Sequence, residues 1–212
     1  MNWFLDMCII IFYAEVGGKY YQKTETFVKN KKDKRFFVCF YITKENMPRW
    51  IKRQKIILRL LKKKLDNFSF EIEEDSQHKE LYPKDVVKLK KFIMKVSSSK
   101  NLIEEYQIIR RNQEIMLRRV DFFMKNIIDK EVIPIKEIDF ELKSTLFTFL
   151  QNHSDAMTLA SGIQCHQQEE LKILTGDKND WNKNNLEWTF SSRPDLAKKY
   201  SKIPEIKYIQ NL

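Results

Sequence analysis

The run Arg35-Phe-Phe-Val-Cys-Phe-Tyr-Ile42 constrains the fold more than any other segment. Seven consecutive apolar residues, Phe36 to Ile42, leave no alternate position for water, so the segment reads as a strand covered on both faces. Strands of that kind belong to parallel sheets flanked by helices, and other segments agree. Trp3–Leu5 reads as a short strand followed, after Asp6, by an apolar helix through Ala14 that Gly17-Gly18 stops. Leu171–Leu174 reads as a short buried strand ending in Thr175-Gly176-Asp177. Glu131–Ile135 reads as a strand that Pro134 confines to an edge or an end. A further strand is expected at Leu186–Phe190. The polar, lysine-rich residues 19–34 read as a loop or a short exposed helix.

The middle of the chain has helical character. Residues 49–65 place Trp50, Ile57, Leu60, Leu61 and Leu65 on one face and basic residues elsewhere. Residues 70–80 form an acidic break, and Pro83 starts a helix that runs to about Val96 before the turn Ser97-Ser98-Ser99. From Leu102 to Ile127 the positions Leu102, Tyr106, Ile109, Gln113, Met116, Val120 and Phe123 alternate spacings of four and three, the seam of a long packed helix. Helices follow at 139–150 and from His153, the latter with Ser154 placed to cap it. The expected architecture is α/β: a three-layer α/β/α sandwich with a mainly parallel central sheet and an extended helical hairpin. A single domain over 1–190 is expected, elaborated by the helical segment 49–128 and followed by a tail at 191–212.

Composition removes several classes. The chain has 212 residues and a formal charge of +10, with 15 Phe, 8 Tyr and 4 Trp, more large apolar surface than a disordered chain carries. Cys8, Cys39 and Cys165 lie far apart with no CxxC pair, against a disulfide framework or a cysteine-rich zinc site, and point to a reducing, cytoplasmic setting. Cys8 and Cys165 read as buried packing residues. The apolar start lacks a basic leader and is too short to span a bilayer, so no membrane partner is expected. With four glycines the chain holds neither a Walker A loop nor a dinucleotide-binding GxGxxG, and no ATP or NAD chemistry through those motifs follows. His78, His153 and His166 lack metal-ligand spacing and read as surface or supporting residues.

Carboxylates stand where the strands end: Asp6 after the first, Glu45 after Thr43-Lys44 at the end of the second, and Asp177 with Asp180 after the third. In an open parallel sheet the carboxyl ends of the strands form the ligand-binding edge. Asp155, opening a helix, belongs to the same edge if its crossover is right-handed. Asp6 is the most telling, because an acid inside an apolar run is costly to bury without a partner. Acids gathered in one place repel unless a divalent cation neutralises them, and hard oxygen ligands suit Mg²⁺ or Mn²⁺. The chemistry such a centre supports is phosphodiester hydrolysis.

These segments resemble the PIN-domain nucleases, the group that includes VapC-type toxin ribonucleases. The resemblance rests on F-L-D-M-C-I-I-I from Phe4, F-Y-I-T-K-E from Phe40, H-S-D-A-M-T-L-A-S-G from His153 and L-K-I-L-T-G-D-K-N-D-W from Leu171. It implies a Mg²⁺- or Mn²⁺-dependent endoribonuclease in which Asp6, Glu45, Asp155 and Asp177 are the acids, with Asp6, Asp155, Asp177 and Asp180 as the metal-ligand set. Two departures stand out. Met7 and Cys8 follow Asp6 where the family has a small polar residue and Asn, and Thr43 lies two residues before Glu45 rather than three. Alternative readings are a PIN-like module without turnover that binds RNA or serves as a scaffold, and a DNA-directed defence nuclease.

The positive charge concentrates on residues 49–65, where Arg49, Lys52, Arg53, Lys55, Arg59, Lys62, Lys63 and Lys64 occur with no acid between them. With Arg110, Arg111, Arg118 and Arg119 on the later helix, they read as a surface for the RNA backbone. An antitoxin or other acidic protein is a second candidate partner for that surface, and the 102–127 seam a candidate dimer contact.

Overall fold

The computed structural model describes residues 1–30, 32–179 and 181–212. It is an α/β protein with a five-stranded, wholly parallel sheet. The strands are β1 (Asn2–Leu5), β2 (Arg35–Cys39), β3 (Lys130–Val132), β4 (Leu171–Thr175) and β5 (Glu205–Tyr208), ordered β3-β2-β1-β4-β5. In register, Trp3 lies beside Phe36, and Phe4 beside both Phe37 and Ile173.

Side chains of β1 alternate between two helical layers. On one face Trp3 and Phe36 meet Phe27 of α2 (Tyr21–Lys29), with ring centroids 4.9 and 5.7 Å apart. On the other, Phe4 and Ile173 lie under Gly162 of α7 (His153–Gln168), where an added Cβ would stand 3.0 Å from Ile173 Cδ1 and 3.2 Å from Phe4 Cδ1. Glycine there lets the helix approach the sheet closely. The expectation of helices on both sheet faces holds, and β3 with its trailing Pro134 is an edge strand as expected.

Several local expectations need correction. For residues 19–34 the short helix of the two readings holds, as α2, but it is not wholly exposed: it buries Thr24, Phe27 and Val28, whose spacing of three and one is that of a helix face diluted by the surrounding lysines. Strand β2 stops at Cys39, and the chain passes through Phe40 and Tyr41 into a wide π-helical turn over Ile42–Asn46. Residues 186–190 are not a strand. They lie in α8 (Lys183–Ser192), with Leu186, Thr189 and Phe190 buried at helical spacing and the Asn182 side chain accepting from the Asn185 amide as its cap. The fifth strand comes instead from Glu205-Ile-Lys-Tyr208, within the expected tail, and follows α9 (Pro194–Lys199). Helix α6 (Phe140–Leu150) is capped by Asp139, and α7 by Asn152 rather than Ser154.

The chain divides into two compact units. One comprises Met1–Met47 and Arg119–Leu212 and contains the sheet. The other, Pro48–Arg118, contains most of α3 (Met47–Asp66), α4 (Pro83–Ser97) and the first part of α5 (Leu102–Asn126). It has its own core, in which Ile57, Leu60, Leu61, Leu89, Val96 and Ile109 are buried together. No described helix is long and apolar enough to cross a membrane.

Candidate functional site

Strand order reverses at β1. The chain runs from β1 to β2 to β3 on one side, then returns to place β4 and β5 on the other. Crevices of open parallel sheets open at the carboxyl ends of strands at such a reversal. Asp6 leaves β1 there, and Thr175-Gly176-Asp177 leaves β4 beside it, with the Asp6 amide donating to the Leu174 carbonyl at 3.0 Å.

Asp6 stands at the N-cap position of α1 (Met7–Ala14), yet its side chain does not cap the helix through a hydrogen bond. It is buried, and Oδ2 accepts from Cys8 Sγ and from Thr175 Oγ1, both at 2.8 Å. Burial pushes its carboxyl above the usual carboxylate range; the Cys8 and Thr175 bonds and the Met7 amide pull the other way, and the charge of Asp177 adds to the rise. The Cys8 thiol is pushed well up, first by burial and then by the Asp6 charge, so it remains a protonated donor. Its sulfur accepts from the Gly176 amide at 3.0 Å, and Thr175 Oγ1 accepts from the Asp177 amide at 3.1 Å. Asp177 Oδ1 accepts from Asn179 N at 3.0 Å, closing the turn. The turn is sterically determined at Gly176, where a Cβ would stand 2.5 Å from the Phe12 ring.

Two of the expected acids therefore stand at one edge, joined through the Thr175 hydroxyl. The others lie elsewhere along it. Asp155 is half-buried in the first turn of α7. Its neighbour Ser154 donates through Oγ to Asn46 Oδ1 at 3.0 Å, so the residues beside Glu45 and Asp155 are tied together. Glu45 itself is not at a strand end: it lies in the π-helical turn, six residues beyond Cys39. Asp180 lies outside the described residues. Among the described residues no group of three or more His, Cys, Asp or Glu side chains is close enough to hold a metal ion. The expected set Asp6, Asp155 and Asp177 is not gathered into one such group.

Cys8 and Thr175 were not expected as site residues. Cys8 read as packing, and the signal that distinguishes it is its place two residues after a buried acid. His166 also differs from expectation. It is buried, its Nδ1 accepts from the Leu171 amide at 3.1 Å, and burial lowers its pKa.

The basic surface changes more. Residues 49–65 contain no acid, but residues 66–85 supply several. Arg59 and Lys63 both reach Asp75, at 2.6 and 2.7 Å, and hold its carboxyl down to about 2 together with the Gln77 amide. Arg53 pairs with Asp85, Lys52 with Glu80, Lys62 with Asp66 and Lys64 with Glu71. Most of this helix's charge is thus neutralised within its own unit. Arg119 is also structural: its guanidinium donates to the Tyr13 carbonyl at 3.0 and 3.1 Å and reaches Glu25 at 3.3 Å. Lys55, Lys84, Lys90 and Lys91 are exposed, with no acidic partner among the described residues.

No protein-family model, curated protein or solved structure matches the chain.

Proposed function

We propose that the chain is a metal-dependent nuclease of PIN type acting on RNA, with Asp6 and Asp177 at its centre. The observation that carries this reading is the pair of carboxylates joined through Thr175 at the reversal of a parallel sheet, one of them buried and raised in pKa by that burial. The donor chemistry fits Mg²⁺ or Mn²⁺. Mg²⁺ commonly uses one or two carboxylates together with waters and substrate phosphate oxygens, so a pair is a sufficient protein contribution. When bound, such a cation supplies Lewis acidity at a phosphodiester and lowers the pKa of water. Within the chain, Thr175 and Cys8 fix the Asp6 carboxylate, and the Cys8–Gly176 and Thr175–Asp177 bonds fix the Asp177 turn against it. Asp155 and Glu45 complete or support the centre in this reading.

The decisive assay offers end-labelled single-stranded RNA and DNA to the full chain with Mn²⁺ or with chelator. Mn²⁺-dependent RNA cleavage, lost in Asp6→Asn and Asp177→Asn, supports the proposal. Cleavage unchanged in both variants overturns the site assignment, and cleavage of DNA alone overturns the substrate. A second reading, a PIN-like scaffold without turnover, draws on the absence of a three-carboxylate group among the described residues. RNA binding without cleavage in the parent chain favours it.

A further inference from the structure

The outward face of α5 within the helical unit is neither a core face nor a purely polar one. Its inward face buries Ile109, Gln113 and Met116, as the heptad spacing predicts. On the outward face Ile103, Ile108 and Ile115 are 71%, 43% and 39% exposed. Arg111 and Arg118 lie between and beyond them. Ile108 and Ile115 are seven residues apart, as are Arg111 and Arg118, so all four fall on one stripe of a helix with 3.6 residues per turn. A shallow groove of about 510 Å³ runs along this stripe, lined by Gln107, Arg110, Arg111, Glu114, Ile115 and Arg118. Arg110 is held by Glu114 at 2.8 Å, whereas Arg111 and Arg118 are exposed with no acidic partner among the described residues.

We infer that this stripe docks an acidic amphipathic helix of another protein, with apolar side chains seated on Ile108 and Ile115 and carboxylates paired to Arg111 and Arg118. The seven-residue recurrence is the spacing at which one helix meets another along a seam. Arginine matches a carboxylate with two parallel N–H donors, and its planar head is readily desolvated at an interface. Exposed isoleucines alternating with arginines resemble the core of a protein interface, where apolar residues and Arg concentrate. The same composition disfavours RNA here. Bases stack on aromatic faces, and the stripe has none: Tyr106, the aromatic residue of α5 in this unit, packs against the buried core. From Ile108 to Arg118 the stripe is about 15 Å long at 1.5 Å per residue, room for about three turns of a partner helix.

The test uses the full chain and a designed peptide of about 21 residues, with Leu repeating every seven positions and Glu placed to face Arg111 and Arg118. Binding followed by fluorescence anisotropy is expected to weaken at least tenfold in Arg111→Glu/Arg118→Glu and in Ile108→Lys/Ile115→Lys. Circular dichroism and thermal melts check that both variants stay folded. A peptide with Lys in place of those Glu residues is expected to bind the Arg111→Glu/Arg118→Glu chain and not the parent. Failure of the parent to bind the acidic peptide, or binding indifferent to the charge exchange, overturns the inference. It is overturned equally if these variants abolish self-association in light scattering, or if they abolish binding of single-stranded RNA while the peptide does not compete with it. None of these readouts depends on nuclease activity.

Discussion

Thr175 joins the two acids of the sheet edge: its hydroxyl donates to Asp6 Oδ2 at 2.8 Å while accepting from the Asp177 amide at 3.1 Å. A single buried hydroxyl thus sets both the orientation of the Asp6 carboxylate and the path of the turn that carries Asp177. Thr175→Val keeps the branched shape, but removes the donor and the acceptor. The expected loss is about 1–3 kcal/mol, the cost of leaving a buried carboxylate and an amide short of a partner. Urea unfolding checks this, and Thr175→Ser, which retains the hydroxyl, is expected to recover most of the loss.

Asp6 lowers stability at neutral pH. Because burial raises its folded-state pKa, the folded chain holds the proton more tightly than the unfolded chain. Its contribution is therefore fully present below the ordinary value near 3.8 and is lost as pH rises through the higher folded value. Asp6→Asn keeps an acceptor for Cys8 and Thr175 without the charge. It is expected to be more stable than the parent at pH 7 by about 0.5–2 kcal/mol, a gain typical of neutralising a functional position. Mn²⁺ is expected to raise the Tm of the parent and not of Asp6→Asn, since a ligand bound only to the folded state adds its binding free energy. Equal shifts in both chains would place cation binding away from Asp6.

His166 gives the opposite pH signature. Its Nδ1 accepts from the Leu171 amide, which requires that nitrogen to be unprotonated, and burial lowers its pKa below the ordinary 6.5. The unfolded chain then takes up a proton that the folded chain resists. Stability from the neutral ring is complete above about pH 6.5 and is lost as pH falls toward the lower folded value. Urea midpoints at pH 7.5 and 5.5 are expected to differ more for the parent than for His166→Asn, whose amide oxygen replaces Nδ1 as a non-titrating acceptor.

The parallel sheet was legible because Phe36–Cys39 is apolar without alternation, which only burial on both faces allows, and because Leu171–Leu174 is apolar apart from Lys172. Asp6 was legible because it follows β1 directly, and Asp177 because it closes the Thr175-Gly176-Asp177 turn that ends β4. What escaped was set by contacts across the sequence. Glu205–Tyr208 alternates charged residues with Ile206 and Tyr208, a weak pattern that becomes a strand through pairing with β4. Leu186–Phe190 carries strand-forming residues, but Asn182 starts a helix just ahead of them. Asp75 lies ten residues beyond the basic run whose charge it offsets, so a local count of lysines overstated the open cationic surface.

Asp75 therefore links the stability of the helical unit to its charge. The carboxylate is buried, and accepts from Arg59, Lys63 and the Gln77 amide. Its pKa is held at about 2 against an ordinary 3.8, so the stability it contributes is present above 3.8 and is lost as pH falls toward 2. Asp75→Asn leaves two cations facing a neutral amide. It is expected to cost about 1–3 kcal/mol at pH 7, the range for removing one side of a buried charged hydrogen bond. The cost is expected to shrink as pH falls through about 2, where the parent becomes protonated as well. The same substitution releases Arg59 and Lys63, so heparin, a generic polyanion, is expected to bind the variant more tightly than the parent at low salt and equally at high salt. Heparin affinity unchanged by Asp75→Asn at low salt would mean that α3 lies outside the polyanion surface altogether.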